Sequence, residues 1–177
     1  MKKICILGGG GIGSCVSASL TEAKLDVCLV DQWSEHINKI RTDGLDVVTT
    51  NGTTNTKINA YHLSDLAQLQ EKFDYIFMAV KAYDTQWVTK FASLYLKNNG
   101  VFVGLQNAYN DDKNSEMIGR KNVIGAVVEL SCEIFQPGIV QRNTIPSGTW
   151  FAVGELDGKI TPRLTNIQEI KLNVGKC

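Results

Sequence analysis

The 177-residue sequence predicts an α/β fold: a mostly parallel, doubly wound sheet with helices on both faces, and antiparallel strands added near its C-terminal end. Three observations carry this expectation. Short apolar runs alternate with stripes of apolar residues at helical spacing through the first two thirds of the chain. The runs are near-continuous, as in strands covered on both faces. A cluster of glycines then stands where the first run gives way to the first helical stripe.

The elements follow in order. Residues 3–7 form the first strand, through Ile4, Cys5, Ile6 and Leu7. Ile12, Val16 and Leu20 recur every four residues and mark a helix over 11–23. A second strand covers 26–31 and a second helix 34–42. Residues 45–49 and 57–61 are extended, on either side of the turn signal Asn51-Gly52. Ser64 caps a short helix running to residue 70. Residues 75–80 read as a central parallel strand. A helix over 84–97, capped by Asp84, places Trp87, Phe91, Leu94 and Tyr95 on one face, with Trp87 in the core, until Asn98-Asn99-Gly100 stops it. Residues 101–105 are another buried strand. Beyond residue 120 the texture changes. Residues 123–130 are extended, Pro137-Gly138 suits the centre of a type II turn, and 139–142 and 149–153 add strands at the end of the sheet. Thr161-Pro162 opens a last helix.

Eighteen basic residues balance eighteen acidic ones, so nothing in the charge calls for nucleic acid or a membrane surface. No apolar run approaches the ~18 residues of a spanning helix. Lys2 and Lys3 precede only four apolar residues before the glycines, so a secretory signal is not expected. The five cysteines, at 5, 15, 28, 132 and 177, are odd in number and form no C-x-x-C. They read as small buried hydrophobes in a reducing cytoplasm. His36 and His62 have no metal-ligand partner at useful spacing; each is expected at the surface, and no metal is expected.

Gly8, Gly10 and Gly13 match G-x-G-x-x-G between a strand and a helix, the dinucleotide-binding fingerprint of a Rossmann-type domain. Gly8 permits the tight turn, Gly10 lets a pyrophosphate approach the backbone, and Gly13 lets the helix pack on the sheet. Gly9, Gly11 and Ile12 complete the loop and the helix start, whose free N–H groups and dipole favour phosphate. Asp31 closes the second strand eighteen residues after Gly13, placed to accept from the adenosine ribose, with turn formation as its plain alternative. Lys81 and Asn107 each follow a buried strand, at the carboxyl end where parallel sheets bind ligands. A solvated lysine and a turn-capping asparagine are the alternatives there. Glu129 and Glu133 have little acid–base context and read as structural.

Four segments in order carry a family resemblance: KICILGGGGIG at 3–13, MAVKAYDT at 78–85, GLQNAYN at 104–110 and PGIVQRNT at 137–144 with the following GTWFAVGELDG. The sequence resembles the ketopantoate reductase (2-dehydropantoate 2-reductase) family across nearly its whole length. The resemblance implies a cytoplasmic oxidoreductase that reduces a 2-oxo acid to a 2-hydroxy acid with hydride from NAD(P)H. It implies that Lys81 contacts the cofactor, and that Asn107 stands beside the nicotinamide and the substrate as the catalytic residue of this part of the protein. The family's helical C-terminal domain, which supplies the catalytic lysine, is absent from this chain, so residues 1–177 are expected to be the dinucleotide-binding domain alone. Lys176 does not match that lysine. Two further departures stand out. Ala108 replaces the glycine that usually follows the asparagine, and Asp31-Gln32 stands where members using the phosphorylated cofactor commonly carry arginine. NAD(H) is therefore favoured by Asp31, with Gln32 beside it. The expected partner is a small-molecule 2-oxo acid; a homodimer is admitted, nucleic acid and membrane are not. The alternatives are a reductase of another (R)-2-hydroxy acid such as mandelate, and a truncated, non-catalytic dinucleotide-binding domain.

Overall fold

A computed structural model describes residues 2–106 and 111–175. The strands are β1 (Lys3–Leu7), β2 (Asp26–Asp31), β3 (Leu45–Thr49), β4 (Gly52–Thr56), β5 (Asn59–His62), β6 (Phe73–Met78), β7 (Leu96–Gly104), β8 (Val123–Glu129), β9 (Cys132–Gln136), β10 (Ile139–Arg142) and β11 (Trp150–Glu155). The helices are α1 (Gly11–Glu22), α2 (Ser34–Asp43), α3 (Leu66–Leu69), α4 (Thr85–Ala92), α5 (Asp111–Ile118) and α6 (Pro162–Lys171). A seven-stranded sheet runs in the order β11-β8-β7-β6-β1-β2-β5. It is parallel except for β11, which pairs antiparallel with β8. This is the α/β fold expected from the alternating pattern.

The period of two along each strand sends alternate side chains to opposite faces. Ile4, Ile6, Val27, Leu29, Tyr75 and Phe77 join one core, which α1, α6 and part of a second sheet cover. Cys5, Leu7, Val30, Ile76 and Met78 join the other, beneath α3 and α4. Burial on both faces explains why these strands read as unbroken apolar runs.

Several expectations change. The strands near residue 140 do not extend the large sheet. Only β11 does; β9 and β10 build a separate four-stranded sheet, ordered β4-β3-β10-β9, in which β10 pairs parallel with β3. The Pro137-Gly138 turn joins β9 to β10 with Gly138 at φ 77°, as a type II turn requires. The antiparallel partner of the 45–49 strand is the threonine-rich β4 and not residues 57–61, of which 59–61 lie in β5 at the edge of the large sheet.

Helix α4 is shorter than expected and turned about its axis. It ends at Ala92, and a 3-10 turn over Ser93–Tyr95 leads into β7. Asn98, Asn99 and Gly100 therefore belong to a strand, where the β6–β7 register shifts between Phe73 and Tyr75. The buried stripe of α4 is Thr85, Val88, Thr89 and Ala92, while Trp87 is 42% exposed. Small residues let the helix lie close on the sheet. The Trp87 indole N–H finds its acceptor outside, at Asp84 Oδ1, 2.7 Å away. Asp84 holds the N-cap position of α4, yet its side chain makes no capping bond. The short helix at 64–70 becomes a 3-10 turn and α3, capped by His62, whose side chain accepts from the Ser64 N–H.

Candidate functional site

The parallel strands direct their carboxyl ends to one side of the sheet. From β1 the chain moves first to β2 on one flank, and later to β6 on the other. Parallel sheets open a crevice where the winding reverses in this way. A cleft of about 670 Å³ lies there. Its walls are the glycine turn after β1, the end of β2, residues 79–84 after β6, residues 105–106 after β7, and residues 130–133 between β8 and β9.

The glycine turn is shaped by close approaches. Gly8 has φ 111°, and a Cβ there would stand 2.7 Å from the Val80 nitrogen. A Cβ on Gly13 would stand 1.8 Å from the Gly8 carbonyl oxygen, so α1 rests directly on the turn. By contrast, the Cβ position of Gly10 has no heavy atom within 4 Å; it faces the open cleft. Helix α1 begins without a side-chain cap. Its first N–H groups are consequently free of intrahelical partners on the cleft side.

Most of the residues singled out from the sequence converge here. Gly8, Gly10, Gly11, Ile12, Asp31, Gln32 and Lys81 line the cleft, and Gly9 and Gly13 lie behind it. Asp31 is held firmly: Oδ2 accepts from the Gly9 N–H at 2.5 Å and Oδ1 from the Trp33 N–H at 2.7 Å. Lys81 precedes the 3-10 turn Ala82–Asp84. Asn107, the expected catalytic residue, lies outside the described residues, as does Lys176.

Several lining groups carry no site role from the sequence, Glu133 having read as structural and Cys132 as a buried hydrophobe. Gln106, just after β7, ties the segment after β6 to the start of α4, donating from Nε2 to the Val80 carbonyl at 2.9 Å and to Thr85 Oγ1 at 2.8 Å. Tyr83, 83% exposed, stands at the rim, and Glu133 lines the wall opposite. Cys132 also lines the cleft. A hydrogen bond from the Cys15 thiol draws the Cys132 thiol below its ordinary range, and the Arg142 and Lys81 charges add to this against its burial. Cys5, Cys15 and Cys28 are buried, as expected of small hydrophobes.

His36 is the clearest correction. Expected at the surface, it is fully buried. Its ring stacks on Trp33 with centroids 5.2 Å apart. Nδ1 accepts from the Gly138 N–H at 2.9 Å, and Nε2 lies 3.2 Å from Ser14 Oγ, which donates to the Gly9 carbonyl at 2.8 Å. Burial pushes its pKa below the ordinary 6.5, with the nearby Asp31 carboxylate acting in the opposite sense. His62 is half-buried and bonds through Nε2 to the Gln32 carbonyl at 2.9 Å.

Among the described residues, no three His, Cys, Asp or Glu side chains are grouped to hold a metal ion. Nor, among them, is any helix long and apolar enough to cross a membrane.

Known proteins with this architecture point one way. The chain is 28% identical to a 2-dehydropantoate 2-reductase of Archaeoglobus fulgidus over 176 residues, covering 99% of this chain and 54% of that one. It is 33% identical to the enzyme of the same name from Pyrococcus horikoshii over 140 residues, or 78% of this chain and 44% of the relative. The chain thus spans about half the length of the curated relatives it matches. The crystal structure of a 2-dehydropantoate 2-reductase from Enterococcus faecalis, itself so named only provisionally, superposes with a TM-score of 0.85 at 20% identity, over 98% of this chain and 55% of that one. A ternary structure of D-mandelate dehydrogenase with NADH and anilino(oxo)acetate superposes with a TM-score of 0.82 at 19% identity, over 97% and 53% of the two chains. These structural likenesses establish the fold. The family model described as ketopantoate reductase PanE/ApbA matches residues 4–157, the glycine turn and every described wall of the cleft included, and the chain therefore belongs to that family of oxidoreductases.

Proposed function

We propose that this chain holds a nicotinamide dinucleotide in the cleft and serves as the cofactor-binding half of a 2-oxo acid reductase, with ketopantoate as the first candidate substrate. The observation that carries this reading is the convergence of the glycine turn, Asp31 and Lys81 on one cleft at the winding reversal. The fit is physical. Gly10 leaves the space that a pyrophosphate needs, while a Cβ on Gly11 would press on the Cys132 carbonyl at 2.8 Å. The start of α1 offers N–H groups and the positive end of its dipole to the phosphates. Asp31, with Gln32 beside it, is oriented to accept from the ribose hydroxyls of an unphosphorylated adenosine, which favours NAD(H). Lys81 adds a cation to the same wall. Asn107 is assigned to the nicotinamide end, where an amide both donates and accepts.

The bound cofactor supplies the hydride. What remains is a proton for the developing alkoxide, and we assign its donor to a part of the protein outside these 177 residues. The likeness to relatives about twice as long supports this division. The test is direct. The 177-residue chain is expected to gain thermal stability with NADH, by mass action on the native state, and to show no steady-state reduction of ketopantoate or of an aryl 2-oxo acid. Robust turnover would place the proton donor within the chain and overturn the division. Absence of any cofactor-dependent stabilisation would overturn the dinucleotide reading.

A further inference from the structure

We propose that His36 is a positioning residue: acting through Ser14, it holds the Gly9–Gly10 peptide so that the glycine turn presents its N–H groups to the dinucleotide pyrophosphate. This rests on reading the cleft as a dinucleotide site.

The directions of the relay are fixed link by link. The Gly138 N–H can only donate, so His36 Nδ1, 2.9 Å away, must be the bare nitrogen. In a neutral ring the proton is then on Nε2, which donates to Ser14 Oγ at 3.2 Å. The Ser14 hydroxyl, having accepted, donates to the Gly9 carbonyl at 2.8 Å. In a trans peptide the N–H lies opposite the C=O. Tying the Gly9 carbonyl back against α1 therefore turns the Gly10 N–H the other way, on the residue whose Cβ position is open to the cleft. All of these residues are buried except Gly10, and a buried relay that loses one link leaves its neighbours unpaired.

The relay works only with a neutral imidazole. A proton on Nδ1 would set an N–H against the Gly138 N–H and cancel that bond. The charged groups around the ring are Asp31 at the end of β2, which favours the cation, and Lys39 of α2, whose stem packs on Gly138. Neighbouring α1 and the β9–β10 turn present Ser14 and backbone. Burial outweighs Asp31, so the folded-state pKa lies below 6.5. The sign follows. The ordered turn persists above the ordinary histidine value and loosens as pH falls through the lower, folded-state value.

The probe is NADH, whose pyrophosphate stays ionised throughout the range, whereas the 2′-phosphate of NADPH titrates near about pH 6. Its affinity for the 177-residue chain is measured from about pH 8 to about pH 5.5, the range in which a histidine changes charge. Wild-type affinity should fall where the ring gains its proton, at a pH below 6.5. At the alkaline end Ser14→Ala should weaken binding about threefold to tenfold, the loss of one net hydrogen bond. His36→Leu should cost a similar factor and add nothing in the Ser14→Ala background, because both break one chain. His36→Gln, which keeps a neutral donor toward Ser14, should recover affinity and flatten the pH profile. Ser14 and His36 losses that simply add, or a Ser14→Ala variant that binds NADH as tightly as the wild type, would overturn the relay while leaving the dinucleotide reading in place. The Ser14→Ala affinity decides the matter even if His36→Leu does not fold. No saturable NADH binding at any pH would overturn the dinucleotide reading and the relay with it.

Discussion

Asp31 is committed before any ligand arrives. Its two oxygens already accept from the Gly9 and Trp33 N–H groups, so the carboxylate cannot swing away from whatever occupies that end of the cleft. A ribose diol can donate to the remaining lone pairs. A 2′-phosphate would bring a charge of about −1.5 to −2 against them, and Gln32 supplies no planar cation to offset it. We expect calorimetric titration to show tighter binding of NAD(H) than of NADP(H), by about tenfold or ~1.4 kcal/mol. The double change Asp31→Ala with Gln32→Arg should narrow or reverse the preference. Tenfold tighter NADP(H) binding by the wild type would refute this account. At Gly13 the space itself is the constraint. Gly13→Ala places a methyl against the Gly8 oxygen, and urea unfolding should show a loss of about 1–3 kcal/mol, the usual cost of overpacking, together with weakened NADH binding.

Helix α6 shows how far local sequence reaches. Thr161 accepts from the Leu164 N–H at 3.3 Å and Pro162 takes the first helical position, as the Thr-Pro pair signals. The same hydroxyl donates to Glu155, which also pairs with Arg163. Thr161→Ala is expected to cost about 1–2 kcal/mol in urea unfolding. Arg163 first, and Thr161 after it, hold the Glu155 carboxyl below its ordinary 4.5. That stabilisation is present above pH 4.5 and is lost as the pH falls through the lower folded-state value. Arg163→Met should therefore flatten the acid limb of the stability–pH profile, and an unchanged limb would contradict the assignment. The large sheet, the glycine turn and the ends of β2 and β6 were readable for the same local reason: period, breakers and caps all act within a few residues. Three features were not. The small sheet depends on β3 meeting β10, and nothing in residues 45–49 names so distant a partner. Trp87 reads as core because it shares a helical face with Phe91, Leu94 and Tyr95, whereas the packing surface of α4 is written in threonine, valine and alanine. His36 escaped for a related reason. Its partners come from α1 and from the β9–β10 turn, and no spacing around residue 36 announces them.

Over the whole molecule, Arg142 ties the parts together. It is 6% exposed at the end of β10. It donates to the Thr144 carbonyl at 2.9 Å, to Thr149 Oγ1 at 2.9 Å, to the Val174 carbonyl at 3.0 Å and to Ser19 Oγ at 3.4 Å. The small sheet, the approach to β11, helix α1 and the segment after α6 thus share one guanidinium. Replacement by methionine would take the buried donor from the Val174 carbonyl and from Thr149 Oγ1, and a half-buried one from the Thr144 carbonyl and Ser19 Oγ, at about 1–3 kcal/mol for a buried group left unsatisfied. Arg142→Met is expected to lower stability by at least about 2 kcal/mol. Arg142→Lys should recover little of this, because an ammonium cannot reproduce the planar fork. Recovery to wild-type stability by the lysine variant would show that charge alone is what matters there.

The bond between Gly138 and His36 spans 102 residues of chain. During synthesis, the first strands and α1 emerge long before the β9–β10 hairpin exists. Distant contacts also form late because the intervening chain must first be confined. The glycine turn is made early and propped late. In refolding experiments, helical circular dichroism should therefore recover ahead of NADH binding, and simultaneous recovery would show that the turn takes its final shape without the hairpin.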